Sequence, residues 1–187
     1  MAFLQRRIDR ASVERFLAAL LLLAVYAWWN FTADSPWTRA LEAAGSTLPE
    51  LIVGFPATEP AETLQRLGAA RADYAWAQIF DLPFVALSAL VASSAMAIGM
   101  RRLSLSHSDA QFLLLVPAMY VAFELIENMS LALFASGAIE PSRGRALLQQ
   151  IFTMTKLSSG LLAIVFGAAG VFVWIAAEIS RFSKSWT

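Results

Sequence analysis

Four apolar runs, each as long as a helix needs to be to cross a bilayer, leave this chain few ways to fold. A spanning helix takes about 20 mostly apolar residues. Residues 16–33, 79–100, 112–135 and 151–177 all meet that requirement. Within hydrocarbon every backbone N–H and C=O must find its partner inside the protein, and a helix satisfies them along its own length. The composition agrees. Of the 187 residues, 58% are hydrophobic and 15% charged, and the mean hydropathy is +0.61. Soluble domains run nearer half apolar and a quarter charged. The expectation is an all-α fold, a four-transmembrane-helix bundle forming a single polytopic membrane domain over residues 1–187. There is no room for a separate soluble domain.

The connections differ in kind. The first, 34–78, is long. The second, 101–111, is short and polar, and the third, 136–150, is short and holds Pro141 and Gly144. One side of the membrane then carries Arg6, Arg7, Arg10, Arg15, Arg101, Arg102, Arg181 and Lys184, which is 8 basic residues. The other carries Arg39, Arg66, Arg71, Arg143 and Arg145, which is 5. By the positive-inside rule the first side is cytoplasmic. The expected localisation is the cell inner membrane, multi-pass, with both termini cytoplasmic and 34–78 outside. Trp28, Trp29, Trp37 and Trp76 fall at the outer interface and Trp174 near the inner one, as in an aromatic belt. The first apolar run ends in YAWWNFTA without a small-x-small cleavage site, so it reads as a retained span and not a signal peptide.

The outer connection reads as helical. Ser35 before Pro36 is a helix start and Gly45 a stop. A second start lies at Thr58, with Glu59, Pro60 and Glu62 in its first turn. That helix is expected to run through Leu64, Leu67 and Tyr74 straight into the second span. Between the two lies LIVGFP, residues 51–56, too short to span. Its large apolar side chains are expected to press onto the outer mouth of the bundle or dip into the lipid interface, and a lid over a pocket is the sharper version of that reading. Small residues recur every four positions in two spans: Ala89, Ser93 and Ala97 in the second, and Ser159, Ala163 and Gly167 in the fourth. That spacing lets helix backbones approach closely in a membrane.

Ionisable residues inside the spans carry what chemistry there is. Asp81, Glu124, Glu127 and Lys156 fall within them, and Asn128 adjoins Glu127. A charge near mid-membrane costs about 2.5 to 3.5 kcal/mol on insertion scales, so such residues face the bundle interior, pair, or serve a pathway. At about 1.5 Å rise per residue, Glu127 lies roughly 12 Å and Lys156 roughly 8 Å below the outer ends of their spans. Glu124, Glu127, Asn128 and Leu131 share one helical face, and Thr153 and Lys156 share another. Two polar stripes at similar depth predict facing helices, with Lys156 in salt-bridge reach of Glu127, Asp81 or both.

Several functions are excluded. Lys plus Arg equals Asp plus Glu at 14 each, so the chain lacks the basic surface that nucleic acid requires. With no cysteine there is no disulfide, thiolate nucleophile or thiolate metal site. The one histidine, His107, lies in a polar loop, which removes bis-histidine haem from the spans. A lysine beside three acids disfavours Mg²⁺. No metal and no cofactor are expected.

The segments FDLPF, FELIEN and FTMTKLSSG together resemble an uncharacterised family of bacterial four-span integral membrane proteins, over most of 49–170. In that family an outer helix leads into a span opening with an aspartate, a third span carries acidic and amide residues, and a fourth opens near a lysine. The resemblance implies no activity. At the level of topology and buried acids the chain is also similar to the EXPERA-type fold of sterol isomerases and the sigma-2 receptor. Those isomerases set histidine and tryptophan beside glutamates. Here only the acidic and amide part is matched, by Glu124, Glu127 and Asn128.

Three readings of function follow. The first is a lipid- or partner-binding accessory membrane protein, whose buried cluster is Asp81, Glu124, Glu127, Asn128 and Lys156. Its partners would be a membrane lipid or isoprenoid-like ligand, a second copy in a homo-dimer, or another membrane protein. The second is a small membrane-embedded enzyme acting on a lipid or isoprenoid. There Glu124 and Glu127 are the catalytic candidates, one as general acid and the other as base, with Lys156 as electrostatic stabiliser. The third is a proton-coupled carrier loading a carboxyl in the bundle.

Overall fold

A computed structural model describes residues 12–32, 34–45, 47–103, 105 and 107–184. Arg6, Arg7 and Arg10 lie outside the described residues, as does the side chain of His107. Among the described residues the chain is all-helical, with no strand. The elements are α1 (Val13–Asn30), α2 (Pro36–Ala43), a 3-10 turn (Pro49–Leu51), α3 (Glu59–Leu67), a 3-10 turn (Gly68–Ala70), α4 (Arg71–Met100), α5 (His107–Ala135) and α6 (Arg143–Lys184). Four of them, α1, α4, α5 and α6, are long and apolar enough to cross a membrane. The four helices are 18, 30, 29 and 42 residues long; the last three contain the apolar runs 79–100, 112–135 and 151–177 and extend beyond them, whereas α1 ends at Asn30, short of the end of the run 16–33.

The local signals in the connection between α1 and α4 act largely as the sequence predicts. The Ser35 hydroxyl accepts from the Thr38 N–H at 3.1 Å, with Pro36 in the first turn, and Gly45 takes a φ of 73° just past the end of α2. One expectation changes. The helix from Thr58 does not run straight into the second long helix. It ends at Gly68, where φ is +49°, and a 3-10 turn intervenes before α4. A side chain at that φ is strained, so glycine here sets a break that the apolar periodicity of Leu64, Leu67 and Tyr74 does not reveal.

Both internal prolines sit in long helices, Pro83 in α4 and Pro117 in α5. Proline supplies no N–H and loosens the carbonyls one turn back. In α4 the Tyr26 hydroxyl donates to the Phe80 carbonyl, giving that turn a partner from α1.

The chain divides into two compact units, each containing parts of the long helices. One comprises the first part of α1, residues 87–120 and everything from Ser159 onward. Its core gathers Met96, Ala97, Met100, Ala110 and Leu114, with Phe16, Phe166 and Trp174 packed alongside. Here α4 and α6 meet backbone to backbone. A Cβ built on Gly99 would stand 2.4 Å from the Gly170 Cα, and one on Gly170 would stand 2.4 Å from the Ala95 carbonyl oxygen. The small-residue contact therefore centres on Ala95, Gly99 and Gly170. Of the glycines, Gly167 meets only ordinary contacts, at 3.6 Å from Ala92 and Ala95.

The second unit comprises residues 24–86 and 121–158. Its apolar core joins Ala40, Ala44, Leu48, Leu64, Leu67 and Tyr74 to Leu131, Phe134 and Ala135, so the connection between α1 and α4 is packed onto α4 and α5. The Arg39 guanidinium clips α2 to α4 through Asp73, at 3.0 and 2.7 Å. Aromatic rings cluster along one edge. Trp29 and Trp76 both pack on Phe80, and Phe31 packs on Trp37 and Phe84. LIVGFP splits its side chains. Phe55 is fully buried and Ile52 half-buried, whereas Leu51 and Val53 face outward, at 55% and 71% exposed.

Candidate functional site

The polar residues of the second unit come from three long helices and the connection between α1 and α4. Gln149, Thr153 and Lys156 recur at spacings of four and three on α6, and Glu124, Glu127 and Asn128 at three and four on α5. Each set therefore forms one stripe. The two stripes meet. The Lys156 ammonium stands 3.0 Å from Glu124 Oε1 and also contacts Glu127 Oε2. The Thr153 hydroxyl donates to the other Glu127 oxygen. Burial is nearly complete: Glu127 is 0% exposed, Glu124 5% and Lys156 8%. One ammonium between two carboxylates is a geometry that a low-dielectric interior strengthens, provided the remaining lone pairs are met. Thr153 meets that condition at Glu127 Oε1, whereas Oε2 rests on its ion-pair contact with Lys156 and accepts no hydrogen bond among the described residues.

Asp81 takes a different partner from the one its charge suggests. Asn128 Nδ2 donates to Asp81 Oδ2 at 2.9 Å, tying α5 to the half-buried opening turns of FDLPF. The second carboxylate on Lys156 is Glu124. A further pair extends the stripes: the Ser130 hydroxyl donates to Gln149 Oε1, while Gln149 Nε2 is buried without a partner among the described residues.

The residue that sequence reasoning missed is Glu50. It lies in the 3-10 turn just before LIVGFP and is 6% exposed. Its carboxyl accepts from the Tyr74 hydroxyl and from Gln78 Nε2, both at 2.8 Å. It also feels the charges of Glu127 and Lys156. The signal was present in PELIVGFP: an acid next to an apolar stretch too short to span. Hydropathy does not reveal it, because the apolar side chains of 51–56 dominate that stretch and the burial of Glu50 depends on Tyr74 and Gln78. Burial pushes the Glu50 carboxyl up from 4.5 to about 7, against the lowering pull of its hydrogen bonds.

The Glu50 shift has a stability consequence. The native state binds this proton more tightly than the unfolded chain does. The contribution is therefore complete below about pH 4.5 and is lost as pH rises through about 7, a difference worth up to about 3 kcal/mol. The melting temperature of detergent-solubilised protein should fall by about 5 °C or more between about pH 5 and pH 8. Glu50→Gln, which keeps an acceptor for Gln78, should flatten that slope. An equally steep slope in the variant would assign the pH dependence elsewhere.

Every acid of the cluster thus has a donor from within the chain: Lys156 for Glu124, Lys156 and Thr153 for Glu127, Asn128 for Asp81, and Tyr74 with Gln78 for Glu50. No group of three or more His, Asp or Glu side chains among the described residues is placed to hold a metal ion. The chain matches no known family model, no curated protein and no solved structure. Function has to come from the geometry of the site itself.

Proposed function

We propose that this is a multi-pass inner-membrane accessory protein that binds a membrane lipid or a membrane-protein partner, with the Glu124–Lys156–Glu127 cluster as its structural core. Both termini are cytoplasmic in this reading, and the connection from α1 to α4 lies outside. The membrane part is supported by large apolar side chains turned outward along the long helices, among them Leu21, Leu22, Ile164, Val165, Phe172 and Ile179. Apolar surface on that scale belongs against lipid or another protein. The orientation is supported by the distribution of basic residues.

The single observation that carries the accessory reading is the closure of the cluster. A general acid or base must reach the proton it moves, to within hydrogen-bond distance. Glu124 and Glu127 are turned instead onto Lys156 and Thr153, and Glu50 is held by Tyr74 and Gln78. The alternative of a lipid- or isoprenoid-acting enzyme requires a substrate to displace those donors.

Two measurements test the proposal. A reporter fused after Lys184 should be active only in the cytoplasm, and one inserted after Gly54 only outside. The reverse pattern overturns the orientation, and recovery of the protein in the soluble fraction overturns the membrane reading. Lipid extracted with the purified protein should be enriched in one class over the bulk membrane by mass spectrometry. A lipid profile equal to the bulk, with no co-purifying membrane protein, removes the binding function.

A further inference from the structure

The first unit holds a second feature, well separated in sequence from the carboxylates. A cavity of about 410 Å³ is lined by Glu14, Ile98, Arg101, Arg102, Trp174 and Arg181, among others. Three arginines reach it from two helix ends, two from the turn after α4 and one from the last turns of α6. They are partly balanced. The Arg102 guanidinium pairs with Glu178, and Arg181 lies 3.6 Å from the same carboxylate. Among the described residues, the cavity lining together with Glu178 supplies three guanidinium groups and two carboxylates, and both Arg101 and Arg181 are exposed. Arg102 and Glu178 are fixed on each other, so Arg102 is held as one wall of the cavity.

Guanidinium forks suit the paired oxygens of a phosphate, which they bind bidentately. Trp174 supplies an amphipathic ring of the kind that sits at headgroup level. Ile98 gives the cavity an apolar side, and inorganic phosphate has no use for one. Basic pockets at the cytoplasmic ends of membrane helices are where anionic headgroups bind, and the basic-residue distribution puts this end in the cytoplasm.

We propose that this cavity binds the phosphate of an anionic phospholipid, gripped by Arg101 and Arg181 with Arg102 and Trp174 as walls. The site gives the lipid-binding function proposed above a location and a ligand class. It rests on the membrane reading, and it makes no use of the ionic cluster.

The test uses the full chain in a neutral detergent, with thermal unfolding as the readout. Added phosphatidylglycerol, at roughly a hundredfold over its dissociation constant, should raise the melting temperature by about 5 °C, and phosphatidylcholine should not. Arg101→Gln with Arg181→Gln should remove that increment, and Arg145→Gln, a charge removed from the other unit, should keep it. Should the double variant fail to fold, Arg181→Lys keeps the charge without the fork and should lose at least half of the increment. Inorganic phosphate at about 10 mM separates the sources of the anion. No increment there, with one from phosphatidylglycerol, supports the lipid. An equal increment from both overturns the lipid assignment in favour of a soluble phosphate. Equal increments from phosphatidylglycerol and phosphatidylcholine, or an increment that survives in the variants, overturn the site. None of these outcomes depends on the reporter fusions, so the site and the topology can fail separately.

Discussion

Lys156→Ala is expected to lower the melting temperature by about 10 °C or more, because removing one partner of a buried ion pair costs about 3 to 5 kcal/mol. The variant leaves Glu124 and Glu127 without their shared ammonium, the latter wholly buried, with Thr153 as the only remaining side-chain donor to Glu127 among the described residues. The compensated variants should rank by how many charges they strand. Lys156→Met with Glu127→Gln strands Glu124 alone and should recover part of the loss. Adding Glu124→Gln removes the last unpaired charge and should recover most of the rest. Glu124→Gln by itself leaves a one-to-one pair between Lys156 and Glu127 and should melt close to the parent. That single variant also separates the functional readings. In an accessory protein it leaves the co-purifying lipid unchanged. In a lipid-acting enzyme it folds normally and abolishes turnover. A Lys156→Ala protein that melts within about 2 °C of the parent, less than the shift from roughly 1 kcal/mol, would show that the triad does not hold these helices together.

The second large effect is expected at Gly170. Gly170→Ala places a methyl group 2.4 Å from the Ala95 carbonyl oxygen and 3.0 Å from Met96 Cα, so α4 and α6 must move apart. Overpacking of this kind costs about 1 to 3 kcal/mol, occasionally more. Because the contact is backbone against backbone, there is no flexible side chain to give way, and the upper part of that range is expected. Gly99→Ala meets the same wall from the other side, at 2.4 Å from Gly170 Cα. Gly167→Ala lies one turn away at ordinary contact distance and should be tolerated. Gly144→Ala, in the first turn of α6 with nothing within 4 Å, should be neutral or slightly stabilising. Thermal unfolding of the four single variants checks the order. Equal behaviour of Gly167→Ala and Gly170→Ala would mean that the close approach is not where the structure places it.

The long helices were legible because hydrocarbon length and apolar runs are local properties, readable at each position without knowing its neighbours. The stripes on α5 and α6 were legible for the same reason, since a spacing of three or four residues puts Glu124, Glu127 and Asn128 on one face whatever they touch. What a face touches is not local. Charge alone gave Asp81 equal standing with Glu127 as a partner of Lys156, whereas the register sets Glu124 beside Lys156 and leaves Asp81 to Asn128. Small residues at spacings of four marked both helices that pack, but the spacing singled out Ala89, Ser93 and Ala97, while the closest approach runs through Ala95, Gly99 and Gly170. A periodic pattern names a side of a helix to within a turn and cannot name the residue at the crossing. Glu50 lay outside both kinds of signal, because its burial depends on Tyr74 and Gln78, 24 and 28 residues away. The break at Gly68 was likewise invisible to a pattern of leucines that continues across it.

The order in which the ion triad is synthesised has its own consequence. Glu124 and Glu127 leave the ribosome on α5, and Lys156, whose single charge offsets one of theirs, follows on α6, 32 residues behind Glu124. A nascent chain that ends with α5 therefore presents two acids to the insertion machinery with their base not yet made. Each such acid is costly at the centre of a bilayer by itself. If the chain inserts as proposed, α5 and α6 are expected to enter together as a hairpin, in which Lys156 offsets one of the two carboxylate charges. Glu50 was translated before either of them, in the connection that precedes α4. It can settle against Tyr74 as soon as α4 is in place, but it meets the charge of Lys156 only when α6 arrives. The segment before α4 is thus the first part of the site to be made and the last to be finished.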